Sequence, residues 1–123
     1  MSTALILFAH GARDPEWAQP MRHIQSLLRE QQTAAEVELA FLEFMQPTLA
    51  ECVAERVQAG ASKICIVPMF IAQGGHLKRE LPEIVEGLRK NHPTVDFVLT
   101  GPIGVQSPVM QAMAETALAL AGL

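Results

Sequence analysis

The sequence predicts an α/β domain built on an open parallel sheet of four strands, sandwiched by helices. Two observations indicate this class. Four short apolar runs rich in β-branched residues alternate along the chain with four longer segments whose apolar residues recur at helical spacing. The resulting order, βαβαβαβα, is typical of parallel strands joined by right-handed helical crossovers. The length of 123 residues fits a single domain over residues 1–123.

The strand candidates are the four apolar runs. They are Thr3–Ala9, Val37–Phe44, Lys63–Phe70 and Thr94–Thr100. The first and third runs are apolar at nearly every position, as strands that helices cover on both faces must be. The second and fourth runs alternate only in part, which places them nearer the edges of the sheet.

The first two helices have recognisable start and stop signals. Asp14 followed by Pro15 supplies an N-cap and a first-turn proline for the first helix. The apolar residues of that helix share one face: Trp17, Met21, Ile24 and Leu28. Pro47 opens the second helix, and Gly60 is expected to end it, because glycine is the usual residue just beyond a helix C-terminus.

The last two helices are predicted to begin at prolines. Pro82 opens the third helix and Pro108, after Ser107, opens the fourth, since proline suits the first helical turn. The residues of the third helix that are expected to face inward are Leu81, Ile84, Val85 and Leu88. Those of the fourth helix are Val109, Met113 and Leu120.

Composition excludes several classes of protein. Half of the residues are apolar and only 18% are charged, which excludes a disordered chain. The apolar runs are far shorter than the roughly 20 residues of a membrane span, and the N-terminus lacks the basic region of a secretory signal. We therefore expect a cytoplasmic protein with no membrane partner.

Charge and cysteine content add two further expectations. The formal net charge is −4 and there is no cluster of lysine and arginine, which argues against nucleic acid as a partner. The two cysteines, Cys52 and Cys65, lie among apolar residues, so we expect buried free thiols rather than a disulfide.

The ends of the predicted strands hold the candidate functional residues, because open α/β sheets bind ligands beyond the carboxyl ends of their strands. His10 follows the first strand, Glu43 stands at the end of the second, and His76 lies in the loop after the third. Two imidazoles and one carboxylate therefore converge on one rim. This set suits a borderline divalent cation such as cobalt, nickel, iron or zinc, and it can accept protons near neutral pH.

Three basic residues share this rim: Arg13, Lys78 and Arg79. They are surface charges by default, and the alternative is that they bind an anionic ligand there. The sequence contains no P-loop, C-x-x-C, H-E-x-x-H or nucleophile-elbow motif.

Several segments, in order and over nearly the whole chain, resemble the short CbiX family. These are the single-domain sirohydrochlorin cobaltochelatases, which are close to the sirohydrochlorin ferrochelatases of siroheme synthesis. The segments are LFAHGARDP at 7–15, FLEF at 41–44 with Pro47, VPMF at 67–70, GH at 75–76 and LP at 81–82. Two positions depart from the family pattern, Ala12 in place of serine and Glu80-Leu81-Pro82 in place of Asp-Ile-Pro, and neither is an expected ligand.

The resemblance implies a chelatase-like, flavodoxin-like half-domain that inserts cobalt(II) or iron(II) into sirohydrochlorin, a tetrapyrrole that carries carboxylate groups. The metal is a substrate, and no permanent cofactor is implied. His10 and His76 match the two active-site histidines, which bind the metal and accept pyrrole protons, and Glu43 matches the acid that joins them at the metal. Arg13, Lys78 and Arg79 are the candidates for binding the substrate carboxylates. Because larger chelatases have two such halves, the short form is expected to be a homodimer.

Some alternatives stay open at this point. His/His/Glu discriminates poorly between cobalt, iron and nickel, so both cobalamin and siroheme biosynthesis are consistent with the sequence. A noncatalytic carrier of metal or tetrapyrrole would use the same rim. A phosphatase or phosphoryl-transfer enzyme using His10, Arg13 and the Gly74-Gly75 turn is a second, less favoured alternative.

Overall fold

The fold is an α/β domain with a parallel sheet, seen in a computed structural model that describes residues 2–31 and 34–123. The strands are β1 (Ser2–Ala9), β2 (Glu36–Phe41), β3 (Ala61–Pro68) and β4 (Asp96–Leu99). The helices are α1 (Gln19–Glu30), α2 (Leu49–Gln58), α3 (Gly75–Asn91) and α4 (Ser107–Ala121). Short 3-10 helices, Pro15–Ala18 and Ile103–Val105, precede α1 and α4. The predicted order of strands and helices is confirmed.

The strand order in the sheet is β2-β1-β3-β4, and every neighbouring pair is parallel. The two fully apolar runs, β1 and β3, therefore occupy the centre, and the partly alternating runs occupy the edges, as predicted. Leu5 of β1, for example, pairs with Val37 on one side and with Cys65 on the other. This arrangement brings the carboxyl ends of β1, β2 and β3 side by side.

Two apolar cores lie on opposite faces of the sheet. On one face α2 and α3 pack against alternate residues of β1 and β3, and the largest buried side chains there include Ile6, Phe8, Ile64, Ile66 and Leu81. On the other face α1 covers Leu7, Val37, Leu39 and Phe41, with Met21, Ile24 and Leu28 packed on them. The apolar stripe predicted for the first helix is thus the surface that α1 packs on the sheet, apart from Trp17, which lies in the preceding 3-10 helix and is 40% exposed.

The caps of the first two helices follow the sequence signals. Asp14 accepts a hydrogen bond from the backbone of Glu16 at the start of the 3-10 helix that leads into α1. Thr48, directly after Pro47, caps α2 in a reciprocal pair with Glu51. Gly60 follows the C-cap of α2 with φ +101°, which is why glycine stands there.

The strands end earlier than the apolar runs that predicted them. β2 ends at Phe41 rather than Phe44, because the chain turns after Phe41 and Phe44 adopts a left-handed backbone with φ 66°. β3 begins at Ala61 and ends at Pro68, although the amide of Met69 still donates to the carbonyl of Phe8 at 2.7 Å. Glu43 therefore lies in a loop beyond β2 and not within the strand.

The predicted start of the third helix is wrong by two turns. α3 begins at Gly75, and Pro82 lies inside it rather than at its first turn. The apolar spacing continues unbroken across the proline, since Leu77 packs against the core and Leu81 is fully buried, and that burial outweighs the hydrogen bond that Pro82 cannot donate. As a consequence His76 stands in the first turn of a helix and not in a loop.

The predicted burial of the fourth helix is also wrong. α4 starts at Ser107 as expected, but none of its residues is buried, and Leu120 is 84% exposed. The helix makes its contacts mainly with the 3-10 helix that precedes it, and none of its residues belongs to either apolar core. Apolar spacing identifies the helix correctly, but it does not specify the surface against which the helix packs.

Among the described residues, no helix is both long and apolar enough to cross a lipid bilayer.

Both cysteines are free thiols, as predicted. Burial was predicted for both as well, but only Cys52 is buried, whereas Cys65 is half-buried. Burial raises the pKa of the Cys52 thiol to about 12.

We predict that Cys52 is inert toward thiol reagents in the native protein. With a pKa of about 12, only about one thiol in ten thousand is ionised at pH 8, and the thiolate is the reactive form. A Cys65→Ser chain should therefore show almost no reaction with Ellman's reagent at pH 8 until guanidinium unfolds it, when one thiol reacts. Rapid reaction of the folded chain would contradict the burial of Cys52.

Candidate active site at the carboxyl edge of the sheet

The candidate site is organised around His10 and Glu43, which follow the adjacent strands β1 and β2. The Nε2 atom of His10 lies 3.2 Å from Oε1 of Glu43, and both side chains are about half exposed. The backbones are joined as well, because the amide of Leu42 donates to the carbonyl of Ala9 at 2.9 Å and the amide of Glu43 donates to that of His10 at 3.1 Å. The hydrogen bonding of the sheet thus continues past the strands and holds this imidazole beside this carboxylate.

Gly11 makes this close approach of the two loops possible. Its φ is +90°, and a Cβ atom added to it would lie 1.9 Å from the carbonyl oxygen of Glu43. No side chain fits there unless the Glu43 loop moves away. The glycine after His10 is therefore required by the geometry that pairs His10 with Glu43.

Phe70 contacts His10 from the other side. The two rings meet edge to face with centroids 6.4 Å apart, and Phe70 makes a similar contact with Phe8 at 6.1 Å. The carbonyl of Phe70 also accepts a hydrogen bond from the amide of Gly104 at 2.9 Å, so the loop after β3 is tied to the 3-10 helix before α4. Beyond the position of Phe70 at the end of a predicted strand, nothing in the sequence pattern indicates this contact with His10.

Arg13 lies on the Glu43 side of the site. Its guanidinium carbon is 4.8 Å from the centre of the Phe44 ring, the geometry of a cation–π contact. The ring itself is mostly exposed, on a residue with a left-handed backbone. The positive charge is thereby held over the side chain of the residue that follows Glu43. Phe44 was not predicted as a site residue, because its contact with Arg13 depends on a turn that the sequence pattern does not show.

His76 takes part in a different contact. On the first turn of α3, its Nε2 atom lies 2.8 Å from Oε2 of Glu80, one turn further along the helix, and its side chain is 88% exposed. Arg79 and Glu83 line a shallow hollow with these two residues, whereas Lys78 is exposed on the same helix and does not line it. The spacing of four residues between His76 and Glu80 is a helical signal that would have identified Glu80 had the helix been predicted to start at Gly75.

The structure thus brings together two of the three predicted metal ligands, His10 and Glu43, and leaves His76 paired with Glu80. Within residues 2–31 and 34–123, no group of three or more histidine, cysteine, aspartate or glutamate side chains is close enough to hold one metal ion. A joint site of His10, Glu43 and His76 stays a prediction. The basic residues are divided as well: Arg13 contacts Phe44 next to Glu43, Arg79 lines the hollow with His76 and Glu80, and Lys78 is exposed on α3 outside that hollow.

Comparison with known proteins agrees with this arrangement of strands and loops. Residues 4–119 match the family model CbiX. The chain belongs to the CbiX family. It is 35% identical over 82 residues to a sirohydrochlorin cobaltochelatase of Methanococcus aeolicus, an alignment that covers 67% of this chain and 57% of that protein.

Two solved structures share the fold of this CbiX chain. A CbiX protein of cobalamin (vitamin B12) biosynthesis from Marinobacter aquaeolei VT8 matches with a TM-score of 0.85 and 26% identity, over 98% of both chains. The sirohydrochlorin chelatase SirB of Bacillus subtilis subspecies spizizenii, solved in complex with cobalt, matches with a TM-score of 0.79 and 25% identity. That alignment covers 94% of this chain and 49% of SirB. The chain likewise spans only 36% to 62% of four curated cobaltochelatases that it matches.

We predict that Gly11→Ala destabilises the protein by at least about 2 kcal/mol, because alanine is strained at positive φ and its methyl group collides with the Glu43 carbonyl. Gly87→Ala is the control: Gly87 lies within α3 with open space around it, and alanine there should stabilise by about 0.5–1 kcal/mol. Urea unfolding followed by circular dichroism measures both changes. Equal stability of Gly11→Ala and the wild type would show that the two loops do not approach so closely.

Proposed function

We propose that this protein is a sirohydrochlorin chelatase that inserts a divalent metal, cobalt(II) or iron(II), into the tetrapyrrole. The observation that carries the proposal is the pairing of His10 with Glu43 at the carboxyl edge of the sheet, half exposed and flanked by an arginine. The names of related proteins support the proposal, because CbiX-family proteins of similar sequence are named sirohydrochlorin cobaltochelatases.

Metal insertion makes three demands on a protein: the hydrated ion must lose water, reach the macrocycle and replace two pyrrole protons. His10 supplies a borderline nitrogen ligand and Glu43 a hard oxygen ligand, a combination suited to cobalt(II) or iron(II). Because the pair supplies only two protein ligands, the remaining positions are open to water and then to pyrrole nitrogens. A closed site of four protein ligands, in contrast, would retain the ion.

The two released protons need acceptors within reach of the macrocycle. The imidazoles of His10 and His76 are both accessible, and imidazole is the commonest general base in enzymes. Each has a carboxylate within contact distance, Glu43 in the first case and Glu80 in the second. We therefore assign metal binding and proton acceptance to both histidines, with Glu43 as the third ligand.

The basic residues are suited to the acidic periphery of the pigment. The chain carries a net charge of −4, so a substrate that bears carboxylates is attracted only where positive charge is concentrated. Arg13 lies over the ring of Phe44, the residue after Glu43, Arg79 lines a hollow with His76, and Lys78 is exposed on the same turn of α3. We propose that these three residues bind substrate carboxylates on two sides of the macrocycle.

We also infer that the working unit is a homodimer. The chain is equivalent to 49% of SirB, whereas the Marinobacter CbiX protein has the same single length. His10 and His76 each carry chemistry but do not meet a third ligand within the described part of one chain. A second copy supplies a second set of loops from which a single cavity can be completed.

Cobalt is the metal we propose to test first, because the curated relatives are named for it. Iron and nickel suit the same ligands. Comparing the rates of insertion of the three metals would identify the physiological metal and so distinguish cobalamin from siroheme synthesis. The cytoplasmic location stays a prediction from the sequence.

We predict that His10→Ala and His76→Ala each lower the rate of cobalt insertion by about 100-fold or more, the usual effect of losing a positioned base or ligand. The assay follows the absorbance change of sirohydrochlorin after addition of cobalt(II) without oxygen. His23→Ala removes an exposed histidine of α1 and should retain the wild-type rate.

Circular dichroism establishes that each variant is folded. Near wild-type rates in both His10→Ala and His76→Ala would refute the proposed site. Stoichiometric uptake of metal or pigment by the wild type without turnover would instead identify a carrier.

We predict that Arg13→Ala and the double variant Lys78→Ala/Arg79→Ala raise the KM for sirohydrochlorin about tenfold with little change in kcat, because they remove ground-state contacts with carboxylates. Arg22→Ala, an exposed arginine of α1, is the matched control and should leave both constants unchanged. A fall in kcat at constant KM would assign these cations a role in the chemical step and not in substrate binding.

A further inference from the structure

The loop after β2 carries an aromatic side chain that the two apolar cores do not use. Leu42 packs against one core and Met45 packs against the other. Glu43 and Phe44 lie between these two packed residues and are both exposed. Phe44 belongs to neither core, and 57% of it is accessible to solvent. Its ring is therefore presented to solvent directly beside the carboxylate of the candidate site.

The backbone of Phe44 makes this exposure more unusual. Its φ is 66°, and within the described part of the chain it is the one non-glycine residue with a positive φ. Glycine adopts this conformation freely, whereas a bulky side chain adopts it at a cost in free energy. Residues held in such conformations are concentrated at ligand-binding and active sites. Neither core packing nor backbone preference explains why phenylalanine occupies this position.

The loop that carries Phe44 is fixed at both ends. The amide of Phe41 donates to the carbonyl of Pro47 at 2.9 Å, which closes the loop. The amide of Glu43 donates to the carbonyl of His10 at 3.1 Å, and Gly11 lies against the Glu43 carbonyl with no room for a side chain. The Phe44 ring is thus held in place before any ligand arrives, which lowers the entropic cost of binding.

Arg13 adds a positive charge to this ring. Its guanidinium carbon lies 4.8 Å from the ring centre, and within residues 2–31 and 34–123 no carboxylate forms an ion pair with it. An aromatic ring and an unpaired cation therefore stand side by side. Such a surface complements a flat conjugated ligand whose edge carries carboxylates, because the ring packs on the conjugated system and the guanidinium pairs with an acid.

We propose that Phe44 is a substrate-binding residue whose ring packs against the conjugated macrocycle of the tetrapyrrole, while Arg13 contacts a carboxylate at the edge of the same macrocycle. The proposal rests on the function proposed above and adds a residue that selects for a flat aromatic substrate. More than half of Phe44 is exposed with Arg13 in place, so the ring keeps room for the pigment. Because Phe44 follows Glu43, a macrocycle on this ring lies beside a proposed metal ligand.

The basic residues on α3 offer no equivalent surface. In the part of the chain that the structure describes, Arg13 is the one cation that stacks on an aromatic ring. Arg79 shares its hollow with His76 and two glutamates, and Lys78 is exposed outside that hollow. The α3 side therefore provides charge alone, and recognition of the macrocycle itself is assigned to the Phe44 side.

The first test measures the binding of metal-free sirohydrochlorin, followed by its absorption spectrum without oxygen and without added metal. Phe44→Leu keeps an apolar side chain and the same backbone strain but removes the ring, so the dissociation constant should rise about tenfold. Phe44→Tyr retains the ring and should bind within about twofold of the wild type. Leu27→Ala removes an exposed apolar side chain of α1 and should leave binding unchanged.

The second test separates a binding role from a structural one. Phe44→Gly removes the ring and also relieves the backbone strain, so the urea midpoint of unfolding should stay the same or rise. The dissociation constant for sirohydrochlorin should nevertheless rise about tenfold or more in the same variant. A lower urea midpoint for Phe44→Gly would show that Phe44 supports the fold, and would overturn the assigned role.

The third test asks whether Phe44 contacts the pigment itself or only positions Arg13. In an Arg13→Ala background, Phe44→Leu should still raise the dissociation constant for sirohydrochlorin several-fold. No further rise in that background would mean that Phe44 acts through Arg13 alone, which contradicts direct contact. Phe44→Leu should also leave the KM for cobalt(II) unchanged. An equal rise in that KM would show that Glu43 had moved, and would likewise overturn the proposal.

These outcomes distinguish failure of the Phe44 role from failure of the proposed function. If the wild type binds sirohydrochlorin and inserts cobalt, but Phe44→Leu binds the pigment equally well, the role of Phe44 alone is refuted. If the wild type binds the pigment through Phe44 without inserting a metal, the chelatase function is refuted and the contact is supported. A wild-type chain that does not bind the pigment would refute both.

Discussion

The rest of the structure depends on the position of β1, which has a neighbouring strand along each edge and an apolar core on each face. This strand pairs with β2 and β3 at once, and its residues enter both apolar cores. Its position determines where His10 emerges, and the hydrogen bonds that continue past its end determine that Glu43 emerges beside it. The candidate site is therefore held in place by the sheet, although the side chains of His10 and Glu43 are half exposed.

The parts of the fold that follow from the local sequence pattern were predictable. The parts that depend on how one element packs against another were not. Continuous apolar runs placed β1 and β3 at the centre because two covered faces require them. The start of α3 was misplaced because proline is a strong local signal, yet the burial of Leu77 and Leu81 extends the helix through Pro82. The exposure of α4 was missed because spacing reveals an apolar face without revealing what covers it.

The same distinction applies to the site. The rule that ligands bind at strand ends was sufficient to pair His10 with Glu43, since adjacent parallel strands bring consecutive loops together. The same rule did not predict the contact of Phe44 with Arg13, because that contact depends on the left-handed backbone of Phe44. It also did not predict the contact of Phe70 with His10, because the two residues belong to different loops. His76 was predicted as a site residue because a histidine follows the third strand. Its contact with Glu80 was not predicted, because the sequence pattern placed the start of α3 at Pro82 and not at Gly75.

His10 and His76 have different partners because they leave the fold from different elements. His10 follows the buried strand β1 and is held beside Glu43 by the hydrogen bonds that join the two loops, whereas His76 stands on the first turn of α3 and contacts Glu80 on the next turn. The function proposed above requires one substrate to reach both imidazoles. Both are accessible to solvent in the single chain, so the fold itself does not prevent a ligand from reaching either one.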